Sequence, residues 1–257
     1  MPTATARDFF SSIDAMTENV NSMIEERRTK GANENFLDAM IMATDSENQT
    51  KMSNKQLRDE AVNMMIAGHE TTANALTWTW HQLLKHPEIL SKVKAEISSV
   101  VKGPAPSFEE ISQLNYTKAV FEESMRLYPP FWRISRTNLE ETRIKGFDIP
   151  AGTSIIASIY TIHRSPKHWQ NPLQFNPERF LASNKERHKF AYLPFGGGPR
   201  ICIGMQFALT EALCILATVL KSCDFEKQFT GDPEYFMSLT LQPKDGCMVK
   251  VQKRALA

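Results

Sequence analysis

The sequence lacks the features that mark several large classes of protein. Its four cysteines form no C-x-x-C pair and show no zinc-ligand spacing, so neither a disulfide framework nor a zinc site is expected. The formal net charge is only +1, which gives no field of the kind that attracts nucleic acid. Residues 1–10 contain no apolar core of a signal peptide, and no apolar run is expected to span a bilayer. These absences favour a globular protein of a reducing, cytoplasmic compartment, without a nucleic-acid partner.

What is present is enough apolar sequence for one large core. The chain has 257 residues, of which 42% are hydrophobic and 23% charged, as in ordinary globular proteins. We therefore expect a single domain, 1–257, that is mainly α with small β-sheets. Strands are predicted as one hairpin of 143–149 with 153–159 and one terminal pair of 237–241 with 248–251. The apolar periodicity predicts helices over 7–30, 36–44, 53–86, 87–101, 117–128 and 205–220. Capping boxes of Ser53 with Gln56 and of Ser107 with Glu110 predict helix starts, the second one of a short helix, and Pro87 fits the first turn of the helix over 87–101.

The most informative stretch runs from Phe195 to Gly204 and reads FGGGPRICIG. It places Cys202 in a glycine-rich loop directly before a long apolar helix. Free backbone N–H groups and the positive end of that helix favour a thiolate at this position. Because Gly196 and Gly204 have no Cβ, a flat, bulky group can approach the backbone beside the sulfur. Taken alone, a lone cysteine is more often a buried structural residue, which is the alternative interpretation.

The spacing F-x-x-G-x-R-x-C-x-G resembles the heme-binding loop of the cytochrome P-450 family. The resemblance implies that the protein binds heme b (iron protoporphyrin IX) and that Cys202 is the metal ligand. It also implies that Phe195, Gly196 and Gly204 border the cofactor and that Arg200 pairs with a heme propionate. A thiolate ligand donates electron density to the iron, which favours cleavage of an O–O bond.

A second motif lies in the middle of the predicted long helix, where residues 67–72 read AGHETT. Glycine inside a helix costs about 1 kcal/mol relative to alanine, so local loosening of the helix is expected here. By resemblance to the family's acid–alcohol pair, Glu70 and Thr71 are catalytic groups that deliver protons. Ala67 and Gly68 then leave room beside the heme. The alternative is a solvated polar turn on a surface helix.

Two further motifs are similar to the family's buried ion triad. Glu123 and Arg126 are three residues apart and share a helix face. Arg179 lies in the P-E-R-F segment of residues 177–180. The resemblance makes these three residues a structural network, which fixes geometry more than it adds stability. Between the two motifs, His163 is interpreted as a hydrogen-bonded structural group.

The segment after the E-x-x-R helix resembles the part of the family that passes the heme edge. The resemblance implies that Arg136 pairs with a propionate. It also makes Phe131, Trp132, Ile134 and Leu239 candidate residues of the substrate pocket. The alternative is an ordinary strand that enters a sheet.

The resemblance as a whole implies a monooxygenase that uses O2 to hydroxylate a lipophilic substrate. Electrons are expected from NAD(P)H through a reductase or a ferredoxin. The basic residues Lys185, Arg187, His188 and Lys189 contribute to a docking face for that donor or are simply a solvated run of charge. Substrate identity is not readable from the sequence.

The order of the motifs corresponds to roughly the C-terminal half of a family member, with the N-terminal part missing. We therefore expect weak or absent heme retention by the isolated chain. A membrane anchor in the missing part stays open. Two alternatives are a truncated, non-catalytic fragment of the same fold and a peroxygenase that uses hydrogen peroxide. Glu70 and Thr71 argue against the peroxygenase, because peroxide already carries its protons.

Overall fold

A computed structural model describes residues 3–30, 35–181 and 187–254. About 52% of the chain is helical and the strands are short. The chain forms two compact units, 1–69 and 70–257, so the expectation of one domain stays a prediction.

The helices are α1 (Ala4–Lys30), α2 (Phe36–Met42), α3 (Asn54–Lys85), α4 (Pro87–Val100), α5 (Phe108–Ile111), α6 (Asn115–Leu127), α7 (Ile159–Ile162) and α8 (Met205–Ser222). The strands are β1 (Arg133–Thr137), β2 (Thr142–Ile144), β3 (Phe147–Ile149), β4 (Ser154–Ser158), β5 (Cys223–Lys227), β6 (Tyr235–Met237), β7 (Leu241–Pro243) and β8 (Val249–Lys253).

The first unit contains α1, α2 and the first part of α3. Its core is formed by Val20, Ile24, Met40 and Leu57. The predicted apolar stripe of α1 is therefore buried only in its second half. In the first half, Phe9 stays 60% exposed.

Local signals place the ends of several helices as predicted. Before α3, the backbone N–H of Ser53 donates to Gln56 Oε1 at 3.0 Å, and the N–H of Gln56 donates to Ser53 Oγ at 3.2 Å. This reciprocal pair satisfies two free donors of the first turn. Pro87 begins α4, where its missing N–H removes no hydrogen bond of the helix. A second capping box, Ser107 with Glu110, begins α5.

The second unit is built around a helical core. The later part of α3 contributes Leu76 and Leu83, and it packs with apolar faces of α4, α6 and α8. Burial of apolar area drives this packing, since each fully buried Leu, Ile or Phe contributes about 1.5–3 kcal/mol. The core residues from α4, α6 and α8 are Ile89, Val93, Ile97, Val120, Phe121, Met125, Leu127, Ala212, Leu216, Ala217 and Leu220.

The predicted hairpin of 143–149 with 153–159 is wrong. Lys145 and Gly146 both have positive φ, 49° and 89°, as a tight two-residue hairpin turn requires. This turn divides the first predicted strand, so β2 pairs with β3. The second predicted strand, β4, instead pairs antiparallel with β1.

The predicted terminal pair of 237–241 with 248–251 is also wrong. Residues 238–240 form a turn that joins β6 to β7, which pair with each other. The last strand, β8, pairs with β5, which directly follows α8. The sequence pattern identifies β8 but not β5, and it carries no information on a partner that lies 22 or more residues away.

Helix α8 modifies the expectation that no apolar run reaches membrane-spanning length. Its 18 residues are long and apolar enough by composition, the one case among the described helices. The core helix of a soluble protein meets the same criteria. Ala212, Leu216 and Leu220 of α8 are in fact buried in the core of the second unit.

Candidate functional site

The loop around Cys202 is closed by backbone hydrogen bonds and left-handed glycines. The N–H of Cys202 donates to the carbonyl oxygen of Phe195 at 2.9 Å, and the N–H of Gly196 donates to that of Leu193 at 3.1 Å. Gly196 and Gly198 have φ of 74° and 76°, conformations that L side chains rarely adopt. The Cys202 side chain is exposed. The alternative of a buried structural cysteine is therefore wrong.

The immediate surroundings of the sulfur fit an iron porphyrin. Gly204 is the N-cap of α8, so the positive end of that helix lies next to Cys202. A Cβ built on Gly204 would lie 3.8 Å from Cys202 Sγ, so glycine keeps that side of the sulfur clear. Ile203 is 84% exposed, and Ile201 is also exposed. An accessible soft donor with apolar neighbours suits a flat, apolar macrocycle with iron at its centre.

Two exposed arginines are available for anionic groups. Arg200 ends the short 3₁₀ turn Gly198–Arg200, two residues before the cysteine. Arg136 lies on β1 and donates from Nη1 to the carbonyl oxygen of Ser135 at 2.8 Å. That bond uses one of its five N–H donors, so most of the guanidinium stays available for a carboxylate such as a propionate.

The acid–alcohol motif of α3 lies in a regular helix. The helix is continuous from Asn54 to Lys85, so the expected local loosening is absent. Glu70 and Thr71 are half-buried, whereas Ala67 and Gly68 are exposed and belong to the first unit. A Cβ built on Gly68 would meet nothing within 4 Å.

Glu70 has a hydrogen-bond partner that the sequence analysis missed. Thr240 Oγ1 donates to Glu70 Oε1 at 2.5 Å, and Asn74 Nδ2 donates to Thr240 Oγ1 at 3.1 Å. Within the motif, Glu70 is therefore held by a buried side chain, whereas Ala67, Gly68 and His69 are exposed. No local signal could have revealed Thr240, because it lies 170 residues from Glu70 in the chain.

The structure brings Glu123, Arg126 and Arg179 together. Arg126 binds both carboxylate oxygens of Glu123, at 2.7 and 2.8 Å, and both side chains are 0% exposed. Arg179 Nε lies 3.4 Å from Glu123 Oε1, which also accepts the backbone N–H of Asn176 at 2.8 Å. A bidentate pair with this many added donors is the geometry that offsets the desolvation cost of burying two opposite charges. Arg126 further donates to the carbonyl oxygens of His163, Pro172 and Gln174.

His163 links this network to the cysteine loop. Its Nδ1 lies 3.1 Å from the carbonyl oxygen of Arg126, and its Nε2 accepts the backbone N–H of Leu193 at 2.8 Å. Because Leu193 N–H can only donate, Nε2 carries no proton and Nδ1 is the donor. Burial, with the positive charge of Arg126, lowers the pKa of His163 to about 3, so the ring is neutral near pH 7. The structural interpretation of His163 is confirmed, and its bridge to Leu193 is the part that was missed.

The candidate pocket residues fall around one turn. Trp132 Nε1 donates to the carbonyl oxygen of Ser238 at 3.0 Å, which places Trp132 beside the turn that carries Leu239. Leu239 is 66% exposed, and Phe131 is also exposed. Ile134, the fourth candidate, is half-buried on β1, where it pairs with Ala157 of β4 in an ordinary strand. Two open concavities of the first unit lie along α1 and involve none of these residues.

The basic run before the loop is only partly available for docking. Lys185 lies outside the described residues. The guanidinium carbon of Arg187 lies 4.2 Å from the ring centre of Phe180 and 5.2 Å from that of Trp169. Its half-buried position lowers its pKa, and the stacking makes it part of an aromatic cluster. His188 and Lys189 are exposed.

Comparisons of sequence identify one family. The family profile described as Cytochrome P450 matches residues 1–251. A protein of Streptomyces melanosporofaciens named Cyclooctat-9-en-7-ol 5-monooxygenase is 38% identical over 221 residues, which cover 85% of this chain and 48% of that protein. Protein LUTEIN DEFICIENT 5, chloroplastic, of Arabidopsis thaliana is 34% identical over 256 residues, which cover 97% of this chain and 42% of that protein.

Comparison with solved structures identifies the same family. The crystal structure of the cytochrome P450DA heme domain matches with a TM-score of 0.90 and 32% identity, and the match covers 97% of this chain and 56% of that chain. The predicted fold class, mainly α with small β-sheets in a P450-like arrangement, is confirmed. The chain spans about half the length of the curated relatives it matches. It belongs to the cytochrome P450 family, whose members are heme monooxygenases.

Proposed function

We propose that this protein is a heme-thiolate monooxygenase that hydroxylates a lipophilic organic substrate, with Cys202 as the iron ligand. The observation that carries the proposal is the exposed Cys202 side chain at the N-terminus of α8. An exposed sulfur in this position is accessible to a metal. The family membership and the motif F-x-x-G-x-R-x-C-x-G support the same assignment.

The residues proposed to hold heme b divide by chemistry. Cys202 supplies the metal ligand, and the guanidinium groups of Arg200 and Arg136 pair with the propionates. Phe195, Gly196 and Gly204 border the cofactor. By resemblance to the family, Ala67 and Gly68 are also proposed cofactor-binding residues, and they belong to the first unit. When bound, the heme supplies activation of O2 with electrons that start from NAD(P)H and arrive through a reductase or a ferredoxin.

Glu70 and Thr71 are the proposed proton-handling residues. Reduction of one oxygen atom of O2 to water consumes two protons, so a route from solvent is required. Glu70 is half-buried, with Oε1 held by Thr240, and the carboxylate can take up and release a proton at Oε2. The Thr71 hydroxyl, next along α3, can accept a proton and donate its own.

The proposed substrate is lipophilic because its candidate contacts are apolar. Phe131 and Leu239 are exposed apolar side chains near the turn that follows β6. The Streptomyces relative is named for oxidation of an organic alcohol, which is consistent with this class.

A cytoplasmic location is proposed on the four free thiols, which are typical of a reducing compartment.

The test is a titration with excess hemin followed by CO difference spectroscopy of the reduced protein. Excess hemin compensates for weak retention. The wild type is expected to give the strongly red-shifted Soret band of a thiolate-ligated ferrous–CO heme. Cys202→Ala is expected to lose that band. The control, Cys223→Ala, removes a half-buried thiol at the other end of α8 and is expected to keep the band. A Cys202→Ala protein that retains the band would end the assignment.

A further inference from the structure

Thr240 is a buried hydroxyl residue at the end of the turn between β6 and β7. It is only 1% exposed. Its Oγ1 donates to Glu70 Oε1 at 2.5 Å and accepts from Asn74 Nδ2 at 3.1 Å. Asn74 lies four residues after Glu70 on α3, so both side chains point from one helix face towards the same hydroxyl.

The direction of this hydrogen-bond chain is fixed by the chemistry of its members. The amide nitrogen of Asn74 can only donate, so the oxygen of Thr240 accepts from it. The single hydroxyl proton of Thr240 is then directed at Glu70. Glu70 Oε1 is therefore an acceptor, and its second oxygen, Oε2, is left to exchange protons.

The backbone around Thr240 is held from both sides. Trp132 Nε1 donates to the carbonyl oxygen of Ser238 at 3.0 Å, and Trp78 Nε1 donates to that of Leu241 at 3.1 Å. The N–H of Leu241 donates to the carbonyl oxygen of Pro130 at 2.8 Å. With the neighbouring residues held, the backbone of Thr240 keeps its Cβ beside α3, and the hydrogen bonds with Asn74 and Glu70 favour the rotamer in which the hydroxyl faces the carboxylate.

We infer that Thr240 is a positioning residue for Glu70. It holds Oε1 and thereby sets the direction in which Oε2 points. The rate of proton transfer depends steeply on such orientation. Without the hydroxyl, the half-buried glutamate has other rotamers that face water. The inference rests on the proposed function only for its catalytic consequence, because the contact itself belongs to the chain without heme.

The contact is tested first on the chain without heme. Isotope-edited infrared spectroscopy, with Glu70→Gln to assign the band, measures the carboxylate stretch of Glu70. Thr240→Val, which replaces the hydroxyl with a methyl group, is expected to shift that band, and Thr240→Ser is expected to restore it. Thr79→Val is the matched control. Thr79 is also buried, but its hydroxyl bonds to Ala75 of its own helix at 2.8 Å.

A second measurement tests the contact in the wild type, so that its result does not depend on whether Thr240→Val folds. In the wild type, the Thr240 hydroxyl proton is expected to exchange slowly enough with water to be seen by NMR. Glu70→Ala is expected to abolish that protection. A rapidly exchanging Thr240 proton in the wild type, or an unchanged Glu70 band in a folded Thr240→Val, would overturn the inference.

The catalytic consequence is tested on the heme-loaded chain with a reductant and O2. Thr240→Val is expected to raise the fraction of electrons released as hydrogen peroxide several-fold and to lower kcat with little change in KM, while Thr240→Ser stays near the wild type. Equal peroxide release in all three proteins would overturn the positioning role. Loss of the proposed function itself is seen separately, as absence of the red-shifted band that depends on Cys202.

Discussion

The neutral, buried ring of His163 makes the stability of this protein depend on pH. Its Nε2 must be free of a proton to accept the N–H of Leu193, and burial lowers its pKa to about 3. In the unfolded chain the histidine pKa is about 6.5. Between these two values the unfolded state binds a proton that the native state does not. Stability is therefore complete above about pH 6.5 and falls as the pH is lowered towards about 3.

The magnitude follows from the difference between the two pKa values. Each pH unit within the window costs about 1.4 kcal/mol of unfolding free energy per proton. Lowering the pH from about 7.5 to about 5 crosses roughly 1.5 units of that window, so His163 alone accounts for a loss of about 2 kcal/mol. Protonation would also turn Nε2 into a donor facing the N–H of Leu193, at the start of the segment that leads to Cys202.

The assay is urea unfolding at both pH values for the wild type and His163→Gln, which does not titrate. The variant is expected to be less stable near neutral pH and to lose about 2 kcal/mol less than the wild type on acidification. Other titrating groups, including the buried His81, are present in both proteins and cancel. His168→Gln, a change at an exposed histidine, is the control and is expected to follow the wild type. Parallel losses in wild type and His163→Gln would refute the reasoning.

Three further predictions concern the core, the ion network and the thiols. Arg126→Ala leaves the fully buried Glu123 uncompensated and is expected to cost about 3–5 kcal/mol in denaturant unfolding, and a smaller loss contradicts the network's burial. Leu83→Ala opens a cavity at a fully buried position and is expected to cost about 2–5 kcal/mol in the same assay. In alkylation followed by mass spectrometry, the exposed Cys202 is expected to react well before Cys247, because burial raises the pKa of the Cys247 thiol to about 11. Faster labelling of Cys247 would contradict that order.

Features that depend on neighbours in the chain can be derived from the sequence alone. Helix limits follow from short-range signals, such as the capping box of Ser53 with Gln56 and the proline at position 87. The loop from Phe195 to Gly204 also depends on local sequence, since its left-handed glycines and the start of α8 follow from ten consecutive residues. Fold class followed from these elements and from the family resemblance.

Contacts between groups that are distant in the chain are visible only in the folded molecule. The pairing of β1 with β4 and of β5 with β8 differs from the sequence prediction, because an extended segment with an apolar pattern has many possible partners. The contacts of Thr240 with Glu70 and of His163 with Leu193 join residues that are 170 and 30 positions apart. Such hydrogen bonds form only after packing has excluded water and closed the intervening chain, so their geometry belongs to the folded molecule and leaves no local pattern in the sequence.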